Sequence, residues 1–173
     1  SLLNCDPAGC HVEVITVINH SENESQEIKD FNLLTFDSIL NWVKQKNISD
    51  RTFHVIKAFD LPYKLAGVGL ARKIGMDEAV RRFDFIHNKN GIIVWFDADC
   101  LCTPNYLKEI QEFYRTTSVA HSAQTFFEHP LEGELDKEIY DAIANYELHM
   151  RYYKNALRFS NFPYSFHTVG SCI

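Results

Sequence analysis

Short β-branched runs, set apart by amphipathic stretches, are what most limits the folds open to this chain. Val12-Glu-Val-Ile-Thr-Val-Ile18 is mostly apolar and bounded by polar residues, the pattern of a strand buried on both faces of a parallel sheet. Phe53 to Phe59 repeats that pattern and ends on Asp60-Leu-Pro62. Ile92-Ile-Val-Trp-Phe96 is the strongest such run, and Val119–Phe127 and Phe166–Gly170 are expected to add two more strands. Between them, Phe36, Ile39, Leu40 and Val43 recur at helical spacing. A glycine-containing stretch, Ala66 to Gly75, opens a helix running to about Arg82. Thr103-Pro104 has the pattern of a cap followed by a first-turn proline, so a helix is expected from Pro104 to about Arg115. Its Tyr106, Ile110, Phe113 and Tyr114 are expected to face the sheet. Asp136 to Leu157 carries Ile139, Ile143, Tyr146, Met150 and Tyr153 on one stripe. This alternation predicts an α/β fold, a mostly parallel sheet flanked by helices.

Composition narrows the function classes. With 173 residues, 46% of them hydrophobic, the chain fits a single domain, residues 1–173, with a real core rather than low-complexity disorder. The net charge of -6 comes without a dense Lys/Arg block, which argues against nucleic acid as a partner. No apolar run approaches the roughly 20 residues that span a bilayer, so no membrane segment is expected. The start, Ser1-Leu-Leu-Asn-Cys5, does not read as a signal peptide. A cytoplasmic location is expected, any attachment to the inner face of a membrane being left to segments outside this chain. Cys5, Cys10, Cys100, Cys102 and Cys172 form no C-x-x-C pair, which argues against a disulfide framework or a zinc site, and Cys100-Leu-Cys102 reads as packing. No Gly-x-Ser-x-Gly elbow occurs. The first five residues look like the tail of a helix, and both ends are abrupt, as expected of a fragment.

Asp97-Ala-Asp99 is the sharpest chemical signal, two carboxylates leaving the end of an apolar strand together. Their repulsion is relieved by a cation, a basic side chain or water, and hard oxygen ligands suit Mg²⁺ or Mn²⁺. A solvated strand end, with Asp capping the following turn, is the plainer reading. Ala66-Gly-Val-Gly-Leu-Ala-Arg72-Lys73 combines a helix start with glycines that let a phosphate approach. The same small residues equally let a helix pack closely on a sheet, and Arg72 suits a diphosphate or a nearby carboxylate. His20, His121, His129 and His167 lie near expected strand ends, and a lone histidine is more often a packing residue than a ligand. Glu22-Asn-Glu24 reads as a solvated loop.

Taken in order, Val14–Ile18 with its polar loop, Gly67-Val-Gly-Leu-Ala-Arg72-Lys-Ile-Gly75, Val94-Trp-Phe-Asp97-Ala-Asp99 and Pro104-Asn-Tyr-Leu107 resemble the family 2 glycosyltransferases of the GT-A, Rossmann-like fold. The match covers residues 12 to 107, with a weaker one at His167–Cys172. The resemblance implies a nucleotide-diphospho-sugar transferase, of the kind used in polysaccharide biosynthesis, moving a sugar from a UDP- or GDP-sugar to an acceptor hydroxyl, most often with inversion. It implies that Asp99, with Asp97 beside it, holds Mn²⁺ or Mg²⁺ on the donor diphosphate, and that Asn19, Arg72 and Asp97 serve the nucleotide. Ile18 and Asn19 stand where the family carries acidic residues, and Lys73 where it commonly has Asn. The family's first strand is expected before Ser1 and its catalytic base beyond Ile173, so the chain reads as a truncated transferase domain and no base is named.

Two other readings compete. A catalytically silent, transferase-like binding module would explain the missing acidic pair at Ile18 and Asn19. A phosphohydrolase would use Asp97 as nucleophile and Asp99 as acid/base, but it usually places Thr or Val where Leu101 stands, and its motif near the N-terminus.

Overall fold

The structure is a computed structural model that describes residues 1–46, 48–117 and 119–165. It is α/β: a parallel two-stranded sheet flanked by helices. The elements are a 3-10 turn at Leu2–Asn4, β1 (Val12–Ser21), α1 (Gln26–Gln45), β2 (Arg51–Leu61), α2 (Val68–Phe85), α3 (Tyr106–Thr116) and α4 (Lys137–Phe159). Contacts within the chain gather into two compact units, one of residues 1–93 and 101–118 and the other of residues 94–100 and 119–173.

In the first unit β1 and β2 run in register from Val12 beside Arg51 to Asn19 beside Ala58, and the register then slips so that Ser21 meets Leu61. Side chains alternate across the pleat, so neighbouring residues of β2 belong to opposite faces. Phe53 meets Trp42 of α1 edge-on at 5.0 Å, while His54 lies 3.2 Å from Arg82 of α2. The two helices therefore cover opposite faces of the strand pair. Ser25 caps α1 by accepting from the Ile28 N–H, which starts the helix ten residues before the apolar spacing begins at Phe36. The early turns are polar or exposed, as at Phe31 and Leu34, so periodicity could not show them.

α2 opens at Gly67, whose φ of 156° favours glycine, and it closes on β1 at Gly75. A Cβ added at Gly75 would stand 3.4 Å from Val17 Cγ2, so here the small residue serves close packing of helix on sheet. Glu78 of α2 pairs with Arg81 and Arg82, and Arg82 reaches across to Glu13 of β1 at 3.1 Å.

The N-terminal segment is a 3-10 turn rather than a helix tail, and it is fixed by Arg51, only 3% exposed. The Arg51 guanidinium donates to the carbonyls of Leu2 at 2.7 Å and Cys5 at 2.8 Å, and to Asp50 Oδ2 at 2.9 Å. This charge-assisted bond holds the Asp50 carboxyl below its ordinary range. Cys5, Ala8 and Leu107 form a small core with Leu2, Val12, Cys102 and Tyr106 around it. α3 thus buries Leu107 against the N-terminal segment, where the sequence pattern had placed its apolar side on the sheet.

In the second unit Asp136 is the N-cap of α4. His129 lies 2.6 Å from Glu147 of that helix and holds its carboxyl below the ordinary range. Tyr146, Tyr152 and Tyr153 of α4 are exposed.

Two expected strands do not form. Ile92–Phe96 and Val119–Phe127 carry no ladder, and among the described residues β1 and β2 are the only strands. Local pattern selects extended, apolar residues, but a strand also needs a neighbour's backbone, and Ile92, Ile93 and Val94 stay well exposed. The expected strand at Phe166–Gly170, with His167, lies outside the described residues.

Candidate functional site

In parallel α/β pairs, ligands are met beyond the carboxyl ends of the strands. Here that edge is built by Asn19–Ser21, Ala58–Leu61 and the start of α2. Asn19, half-buried, donates through Nδ2 to the Gly67 carbonyl at 3.5 Å, linking the end of β1 to the N-terminus of α2. Its own carbonyl accepts from Asn32 Nδ2 at 3.2 Å. Arg72 sits in the second turn of α2, half-buried, with its Nε withdrawn from solvent. Asn19 and Arg72 thus share the first unit. Lys73 turns outward to pair with Asp77 one turn on.

His20 is buried at 5% exposure, its ring 4.3 Å from that of Phe59, and its Nδ1 lies 3.3 Å from the Asp60 N–H. It is a hydrogen-bonded packing histidine. Asp60, at a φ of 53°, pairs with Lys29 at 2.7 Å, and this ammonium holds its carboxyl low. Glu22 accepts from the Tyr63 N–H at 3.1 Å, so part of the expected solvated loop is tied to the chain after β2.

Asp97 and Asp99 belong to the second unit. The Asp97 carbonyl accepts from the Cys100 N–H at 3.0 Å, closing a turn over residues 97–100. The acidic pair therefore follows a segment without regular secondary structure and lies in a turn, not at the end of a paired strand. Asp at the first position of such a turn is favoured on its own account. Asp97 is half-buried and Asp99 exposed. Among the described residues no group of three or more His, Cys, Asp and Glu side chains is placed to hold a metal ion. Two carboxylates on one turn fit a hard cation that takes its other ligands from water and a phosphate-bearing molecule, as Mg²⁺ commonly does.

A cavity of 480 Å³ lies along β2, lined by residues 53–56 with Leu40 and Val43 of α1 and Glu78 and Arg82 of α2. None of Asn19, Arg72, Asp97 and Asp99 lines it.

Comparison of the chain with protein-family models, curated proteins and solved structures finds no match. Among the described residues no helix is long and apolar enough to cross a membrane. Sequence reasoning missed Arg51, whose burial has no local signal, and the His129–Glu147 pair, which is 18 residues apart in sequence. The Glu78–Arg81–Arg82 cluster was open to the rule of i,i+3 and i,i+4 pairs.

Proposed function

We propose that this chain is part of a metal-assisted glycosyltransferase of GT-A type, taking a sugar from a UDP- or GDP-sugar to an acceptor hydroxyl. The observation that carries the reading is the β1–α1–β2 parallel unit with Gly67, the N-cap of α2, beside Asn19, the framework on which nucleotide sites of α/β proteins are commonly built. In this reading Asn19 offers its amide to the nucleoside and Arg72 its guanidinium to the nucleotide. Asp99, with Asp97 beside it, binds Mn²⁺ or Mg²⁺. When bound, the cation supplies charge stabilisation for the departing nucleoside diphosphate. The exposure of Asp99 suits a ligand that arrives with the donor.

Calorimetric titration of UDP, GDP and their sugar derivatives, with and without Mn²⁺, on the wild type and Asp99→Ala tests the reading. It predicts Mn²⁺-dependent binding to one nucleotide class, weakened at least about 10-fold in Asp99→Ala, about 1.4 kcal/mol. Binding that is indifferent to Mn²⁺ and to the substitution would refute it.

A further inference from the structure

We propose that Cys5 and Cys102 are a thiol–disulfide exchange site, closing reversibly to a disulfide that locks the N-terminal segment to the lead-in of α3. The two Sγ atoms lie 3.6 Å apart although the residues are 97 apart in sequence. Their backbones are held near one another by independent contacts. The Asp6 N–H donates to the Pro104 carbonyl at 2.7 Å, Arg51 donates to the Cys5 carbonyl at 2.8 Å, and Leu107 is buried in the same cluster as Cys5. Bringing the sulfurs to the bonded distance of about 2.05 Å then needs a shift of about 1.5 Å, within reach of small side-chain adjustments. Cys10 is exposed and Cys100 belongs to the other compact unit, so neither shares this setting.

Cys5 is buried and Cys102 half-buried, which sets the order of the reaction. With oxidised glutathione as the oxidant, the Cys102 thiolate attacks one glutathione sulfur, forming a mixed disulfide and expelling one glutathione thiolate. The Cys5 thiolate then attacks Cys102 Sγ and expels the second. Two protein thiols are oxidised, one glutathione disulfide is reduced to two thiols, and the two protons lost from Cys5 and Cys102 end on glutathione. Burial and the neighbouring Cys102 sulfur push the Cys5 thiol up, so ring closure quickens as the pH rises toward alkaline values. The closed loop is long, and such a link restrains the unfolded chain strongly.

The test uses the full chain with Cys10, Cys100 and Cys172 replaced by Ser, equilibrated in glutathione buffers of graded redox ratio, acid-quenched and alkylated. The proposal predicts loss of the mass of two hydrogens, a cross-linked Cys5–Cys102 peptide, recovery with dithiothreitol, and a melting temperature higher by about 5 °C or more in the oxidised form. Adding Cys5→Ala should leave a glutathione adduct at Cys102. Two alkylated thiols, or two glutathione adducts, at every ratio would overturn it. The wild type, oxidised in parallel, keeps the answer independent of whether the serine variant folds. There a Cys5–Cys102 peptide must dominate, and a dominant link through any other pair overturns the proposal.

Discussion

Replacing Arg51 by Met keeps much of the aliphatic volume and deletes the guanidinium that gathers the N-terminal segment. Its two short bonds to main-chain carbonyls, 2.7 Å to Leu2 and 2.8 Å to Cys5, are charge-assisted, and the Cys5 contact is buried. Hydrogen bonds to charged groups contribute about 1.5 kcal/mol each in net terms, so losing the two comes to about 3 kcal/mol. Asp50 is half-buried, its side chain 24% exposed, and can still rehydrate, adding little. With a urea slope of about 2 kcal/mol per M, the midpoint should fall by about 1.5 M. The assay is urea unfolding followed by fluorescence in a Trp95→Phe background, which leaves Trp42 as the only indole, packed edge-on to Phe53 in the same unit. Arg51→Lys keeps the charge but not the fork, and should recover less than half of the loss. A midpoint for Arg51→Met within about 0.3 M of the parent would show that the N-terminal segment is not anchored through this side chain.

Gly75→Ala should be tolerated or stabilising by about 0.5–1 kcal/mol, because the new Cβ would make ordinary contact with Val17 while helix propensity improves, whereas Gly75→Leu should cost about 1–3 kcal/mol by overpacking. Paired urea titrations would check both signs. Arg81 and Arg82 lower the Glu78 carboxyl to about 2, from an ordinary value of 4.5. A carboxyl whose folded value is depressed stabilises above its unfolded value and loses that contribution as the pH falls through the folded one. The stability difference between wild type and Glu78→Gln should therefore be full above 4.5 and shrink toward pH 2, and a difference constant over that window would contradict the pairing.

The first half of the chain was legible because its elements are locally encoded. Val12–Ile18 and Phe53–Phe59 combine β-branched content with polar boundaries, and β1 and β2 formed around them. α4 began within one residue of its expected start, with Asp136 at the N-cap position ahead of the amphipathic stripe, although its side chain makes no capping hydrogen bond. Ile92–Phe96 carried the strongest local pattern of all without becoming a strand, since pairing is decided by which backbone is available and not by the run itself. The same limit applies to the candidate site. Residue types and spacing singled out Asn19, Arg72, Asp97 and Asp99, and the structure links Asn19 to the start of α2 and turns Asp97–Cys100 tightly. Contacts such as Arg51 with Leu2 and Cys5, or Cys5 with Cys102, join residues nearly 50 and 97 positions apart and leave no periodic trace in sequence.

The proposed function requires the acidic turn to bind a divalent cation together with a nucleoside diphosphate. Free Mn²⁺ counted by electron paramagnetic resonance, in titrations of wild type and Asp97→Ala/Asp99→Ala with and without UDP or GDP, tests it most directly. One nucleotide should increase Mn²⁺ retention on the wild type beyond what the nucleotide retains alone, and the double variant should lose this excess. Equal retention by the two proteins would contradict the role given to Asp97 and Asp99.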